Sequence, residues 1–181
     1  MLGTFYASQR RLDEAVAQFN QLATRQPNSV GVHTSLGTLL QMQNRTDEAR
    51  SSYEQALALD PHAAVAANNL AWIYAEAGSN LDEALKLAQT AKARLPNRAE
   101  VNDTLGWVYV KKGLGTLAIP VLRQSILADP RNASYHYHLG MAYLTAGDAG
   151  SARTSLERAL AIDPNFPGAT IARDSLTRLR G

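Results

Sequence analysis

The side chains of this 181-residue sequence best suited to proton transfer or metal ligation are its four histidines, His33, His62, His136 and His138. His136 and His138 stand two apart, so on a helix their rings diverge by roughly 200° and share no face. His136 then reads as a packing residue and His138 as a surface residue, and no metal site is expected. Serine, histidine and aspartate occur without a nucleophile elbow, so no catalytic triad is expected either. The chain has no cysteine, which removes thiolate nucleophiles, thiolate metal sites and disulfides and suits a reducing or an oxidising compartment equally. Gly113 and Gly115 lack the preceding strand that a phosphate-binding loop requires, and they read as a turn. No catalytic residue and no cofactor is therefore expected. What remains with binding chemistry is the pair Trp72 and Trp107, the two tryptophans of the chain. An indole offers a large apolar face and one N–H donor, and such residues are enriched where partners bind.

Composition narrows the partner class. Lys and Arg total 18 against 16 for Asp and Glu, a formal charge of +2, which is not the basic field that grips nucleic acid. Arg10–Arg11 and the C-terminal arginines are short, interrupted runs that read as solvated surface. No apolar run approaches the roughly 18 residues that span a membrane, so no direct membrane insertion is expected. The opening stretch lacks the pattern of a signal peptide. A soluble chain is expected, cytoplasmic or periplasmic, and with 45% apolar and 19% charged residues it has the balance of a folded one.

The elements that position the tryptophans follow from a repeat. Pro27, Pro61, Pro96, Pro130 and Pro164 step by 34, 35, 34 and 34 residues, and Ala15, Ala49, Ala84, Ala118 and Ala152 step the same way. Gly3, Gly37, Ala71, Gly106 and Gly140 form a third series, each preceded by leucine. The added residue falls near Asn80–Leu81, where a loop would absorb it. Within one unit, His33, Leu36, Gly37 and Leu40 make one helical stripe, and Ala49, Tyr53, Ala56 and Leu57 a second. Thr46 is the expected N-cap of the second helix, with Asp47 and Glu48 suiting its positive end. Asp60–Pro61 stops it, because a residue before proline is pushed out of the α region. Gly78, Gly113 and Gly147 punctuate the corresponding turns. Small residues on both helices let the backbones approach, and hairpins that cannot bury their own stripes must stack.

The phrase L-G-x-x-Y, then D-E-A and a terminal proline, recurring in register over residues 1–164, resembles the tetratricopeptide repeat (TPR). There are departures: His33, Ala67, Asn102 and His136 stand where that family has an early Trp, and Leu117–Ala118–Ile119–Pro120 replaces an acidic helix start, with Pro120 placed in the first turn. The resemblance implies an all-α, right-handed superhelical solenoid of helix-turn-helix hairpins. Its expected divisions are a truncated first unit at 1–27, full units at 28–61, 62–96, 97–130 and 131–164, and a C-terminal capping helix over 165–181. The cap would turn Ala169, Ala172, Leu176 and Leu179 inward. Because Met1 falls one residue before the first Leu, the chain is expected to be a fragment of a longer repeat protein.

The resemblance also implies that the first helix of each hairpin lines a concave wall. The residues flanking each Leu-Gly/Ala pair are then groove candidates: Thr34, Ser35 and Thr38; Asn68, Asn69 and Trp72; Asp103, Thr104 and Trp107; Tyr137, His138 and Met141. Trp72 and Trp107 follow Ala71 and Gly106 and occupy equivalent places in adjacent units. They serve either peptide contact or closure of the inner wall, and Asn68 and Asn69 either bond a guest backbone or simply keep the wall polar. No Lys or Arg stands at the places where carboxylate-clamping TPR domains carry them, since Lys111 and Lys112 lie further along their helix. The expected function is a non-catalytic module that binds a protein or peptide partner, a scaffold or adaptor in a bacterial assembly, because phrases around Trp72 and Trp107 resemble those of bacterial TPR proteins of envelope assembly and polysaccharide export. The alternative is the substrate-recognition arm of a larger enzyme, such as a glycosyltransferase, with its catalytic domain elsewhere. Self-association through the N-terminal edge is a further possibility at this level.

Overall fold

A computed structural model describes residues 2–179, with side chains from Arg11 onward. Among the described residues there are ten helices and no strand. A long helix, α1 (Leu2–Arg25), precedes four hairpins: α2 (Val30–Met42) with α3 (Thr46–Leu59), α4 (Ala64–Ala77) with α5 (Leu81–Arg94), α6 (Ala99–Lys111) with α7 (Gly115–Ala128), and α8 (Ala133–Ala146) with α9 (Ala149–Ile162). The last helix, α10 (Ala169–Arg178), packs on α9.

Size complementarity closes each hairpin. A Cβ added to Gly37 would lie 2.6 Å from the Tyr53 ring, and one added to Gly140 would lie 2.7 Å from Leu156. Gly106 faces Leu122 in the same way. In the second of these hairpins the equivalent positions hold Ala71 and Ala88, both fully buried. The repeat thus sets glycine against a large residue or alanine against alanine, and a close-packed interior tolerates few other sums of volume.

The turns follow local chemistry. Gly78, Gly113 and Gly147 adopt positive φ of 63°, 75° and 82°, and Asn44 takes the same left-handed conformation at 59°. After α3, α7 and α9 an aspartate before proline closes the connection: Asp60, Asp129 and Asp163 accept the backbone N–H of His62, Arg131 and Asn165, while after α5 Leu95 stands before Pro96. Asn132 and Asp148 cap α8 and α9 through their side chains.

Three local expectations are corrected. Residues 2–25 form one unbroken helix where the repeat predicts a turn within the first unit. The position equivalent to Asn44 is Arg10, within a stretch that holds no glycine, asparagine or proline, so nothing supplies the left-handed residue a turn requires. Thr46 is the first residue of α3 and not its cap; Arg45 holds that place, pairing with Glu48 across 2.6 Å. Pro120 lies inside α7 and not in its first turn, because the helix begins at Gly115 and the proline removes an interior hydrogen bond.

The stacking is asymmetric. Each first helix touches the first helix of the next hairpin, α2 with α4, α4 with α6 and α6 with α8, whereas the second helices α3, α5, α7 and α9 make no comparable contacts with one another. One row is close-set and the other splayed, so the array curves with α2, α4, α6 and α8 along its inner wall. At the far end, Ala169, Ala172 and Leu176 are buried, and Arg173, Asp174, Thr177 and Arg178 are exposed.

Candidate functional site

Successive turns of the inner helices build an open groove of about 560 Å³ in the C-terminal half of the wall. From α4 come Trp72 and Glu76, from α6 Trp107, Val110 and Lys111, and from α8 Tyr137, His138 and Met141. Pro167 and Gly168 of the α9–α10 connection and Ile171 of the first turn of α10 close the end. Gly168 is required there, because a Cβ would fall 2.7 Å from the rings of both Phe166 and Tyr137.

The floor of this groove is an aromatic cluster organised around His138. Its imidazole stacks on Trp107 with centroids 4.3 Å apart and lies 5.6 Å from the Trp72 ring. Tyr137 stands 5.8 Å from Trp107 and 5.4 Å from Phe166. The Trp107 indole N–H donates to Glu76 Oε1 across 2.7 Å, and the Lys111 ammonium sits 4.9 Å from the Trp107 ring centre and 3.8 Å from that carboxylate. Burial, with Glu76 nearby, pushes the Tyr137 phenol up to about 12, so it is a neutral hydroxyl at ordinary pH.

Beneath the groove, His138 Nδ1 lies 2.8 Å from Asp103 Oδ1, and both residues are buried. An ionised carboxylate only accepts, so Nδ1 carries the proton and donates it to Asp103. That leaves Nε2 as the second polar atom of the ring, with no partner among the described residues and not sealed from solvent. Asp103 therefore fixes the orientation and tautomer of His138 from behind.

The sequence-derived candidates separate into two groups. Trp72, Trp107, Tyr137, His138 and Met141 come together on the groove. Trp107 is only 5% exposed and belongs to the core as well, whereas Trp72 is half-buried. Asn68, Asn69, Asp103 and Thr104 do not line it. Asn68 Nδ2 donates to Asn69 Oδ1 across 3.2 Å, and Asn69 Nδ2 donates to the Tyr53 hydroxyl across 3.0 Å, so the amides tie α4 to α3. Thr104 Oγ1 bonds the Glu100 carbonyl one turn back. Thr34, Ser35 and Thr38 line a separate, largely apolar recess with Val30, Phe19 and Val65. His138 is buried, not the surface residue that its spacing indicates, because α6 and α8 meet at its ring.

Glu76, Lys111 and Ile171 line the groove although the residues flanking each Leu-Gly/Ala pair do not include them. Glu76 and Lys111 each stand four residues after a tryptophan, one helical turn further on, and that i+4 relation is the signal that finds them. A lysine does enter this groove, from one turn beyond the residues that flank the Leu-Gly/Ala pair. Among the described residues, no three of His, Asp or Glu converge as a metal site requires, and no helix is long and apolar enough to cross a membrane.

Comparison with known proteins places this geometry. Residues 34–99 and 104–167 match one tetratricopeptide repeat family model and residues 1–29 another. Cellulose synthase operon protein C of Escherichia coli (strain K12) is 42% identical over 53 residues, which are 29% of this chain and 5% of that protein. PilW, a type IV pilus biogenesis factor, superposes with a TM-score of 0.74 at 19% identity, over 98% of this chain and 87% of its own. YrrB, described as a TPR protein with an unusual peptide-binding site, gives a TM-score of 0.66 at 20% identity, over 90% and 92%. With its ten helices in stacked hairpins and the repeat matched over most of its length, the chain belongs to the tetratricopeptide repeat family.

Proposed function

We propose that this chain is a non-catalytic interaction module that holds a segment of a partner polypeptide in the groove between Trp72 and Ile171. The observation that carries the reading is the make-up of that groove: aromatic and aliphatic surface beside a few polar atoms, on a wall supported by the core. Half-buried Trp72 and 52%-exposed Ile171 stand on opposite margins and leave apolar area for a guest to cover. A folded wall binds with little ordering cost, so a few buried anchors supply most of the affinity.

A role in a bacterial assembly, as scaffold or adaptor, draws support from the local likeness to cellulose synthase operon protein C and the shared fold of PilW. The matched segment is a small part of that first protein, so the likeness bears on the repeat and not on a particular partner.

Displayed random peptides selected on the wild-type chain, then measured on Trp72→Ala, test the groove. The expected result is a loss of about 2 kcal/mol or more in binding, with helicity and unfolding midpoint close to wild type. Selected peptides that bind the variant equally well would place the contact elsewhere.

A further inference from the structure

Within the proposed groove, the chain shows what kind of guest side chain its deepest part suits. Three features converge there. Glu76 presents a carboxylate whose Oε1 already bonds Trp107 Nε1. Trp72, Trp107 and Tyr137 line the same groove, and the negative face of such a ring attracts a cation. His138, 4% exposed, keeps Nε2 without a partner among the described residues, and with Nδ1–H committed to Asp103 that atom offers a lone pair in the neutral ring. An acceptor nitrogen, a carboxylate and aromatic faces together match a donor-rich cation.

The protein itself supplies the confirming detail. Lys111, from the same wall, lays its ammonium over the Trp107 ring at 4.9 Å and within 3.8 Å of Glu76. It is the sole cation lining this groove among the described residues, and it occupies the position where the local field favours positive charge. Behind the wall, the Asp103 carboxylate lies against the imidazole, its one side-chain hydrogen-bond partner among the described residues. Lys111 stands on a flexible four-carbon stem, so rotation about its own side-chain bonds suffices to move it off the ring.

We infer that the groove takes an arginine or lysine side chain of its guest, which displaces Lys111 from the Trp107 face and binds between Glu76 and His138 Nε2. Arginine suits it best, since its planar fork stacks on an indole while its N–H groups reach two acceptors. This inference rests on the groove reading above and gives its anchor a chemistry. It also gives Lys111 a role as a tethered competitor, with a sign opposite to that of a lysine that grips an anionic guest.

Because Trp72 and Trp107 are the only tryptophans of the chain, tryptophan emission excited beyond the tyrosine absorption band reports on this site alone. Three blocked tripeptides, with arginine, glutamate or leucine between two alanines, are titrated at matched ionic strength into the full chain and into Glu76→Gln and Lys111→Ala. Glu76→Gln keeps an acceptor for the indole N–H, and equal thermal midpoints confirm that both variants fold. The arginine peptide is expected to change the emission at least tenfold more tightly than the other two. Its affinity should fall at least fivefold in Glu76→Gln and rise severalfold in Lys111→Ala. Preference for the glutamate peptide, lost in Lys111→Ala, overturns the cationic anchor and leaves the groove standing, as does preference for the leucine peptide. No emission change with any peptide on any variant overturns both.

Discussion

Replacing Trp107 by alanine separates the structural share of the aromatic wall from its binding share. The indole is almost wholly buried, so about 200 Å² of largely apolar surface leaves water when the chain folds. At about 25 cal/mol per Å² that is roughly 5 kcal/mol, of which an alanine methyl keeps only a part. The stack on His138 and the 2.7 Å bond to Glu76 are lost as well, and the space left against Tyr137 closes only in part. The expected loss is about 3–5 kcal/mol, a large share of the stability of a domain this size. Trp107→Phe keeps a ring and loses the N–H donor; since Glu76 is half exposed and still faces Lys111, the expected cost is about 1 kcal/mol from that bond. Trp72→Ala, at a half-buried position, should cost less than Trp107→Ala while weakening peptide binding more than Trp107→Phe. Urea unfolding followed by far-UV circular dichroism gives the midpoints of all three variants. A loss under about 1 kcal/mol for Trp107→Ala would refute the reading of Trp107 as a core residue that also borders the groove.

The remaining predictions concern backbone approach and titration. Gly115→Ala should lose about 1–3 kcal/mol in the same urea experiment, because its Cβ would fall 2.6 Å from Ala142 O and Ala146 N, backbone atoms that cannot rotate aside. Gly31→Ala, in α2 with nothing within 4 Å of the new methyl, should instead gain up to about 1 kcal/mol. Alkaline pH should weaken the fold through Tyr135 and Tyr137, both pushed up to about 12 mainly by burial, so the unfolded chain loses these protons first. Stability is then intact below pH ~10 and falls between ~10 and ~12, by up to about 2–3 kcal/mol for Tyr137 and by less for Tyr135, whose phenol is more open to solvent. Tyr137→Phe should flatten part of that fall, and melts across the pH range measure it.

The repeat was legible because it is written in residue sizes and turn formers, which act locally. The steps between prolines, the Leu-Gly/Ala pairs and the turn glycines identify hairpins before any coordinate, and Gly37 against Tyr53 shows why those sizes recur. The site was half legible. Trp72, Trp107, Tyr137, His138 and Met141 fall on the groove because one helical register carries them there. Glu76 and Lys111 were missed because the groove is two turns deep along each inner helix, which depends on how far neighbouring helices slide past one another. The Asp103–His138 bond joins residues 35 apart and follows from the packing of α6 on α8, a relation that no local pattern encodes. The unbroken α1 shows the reverse case, in which the repeat's phase persists while the local turn chemistry is missing.

The splayed outer row has a mechanical consequence. Hairpins that meet closely along one row and stand apart along the other form a stack of leaves whose curvature is the sum of the angles at their junctions. A small rotation at each junction, shared over the four hairpins, would open or narrow the channel without breaking a helix. The width of that channel is therefore set by the angle at every junction as much as by the side chains that line it.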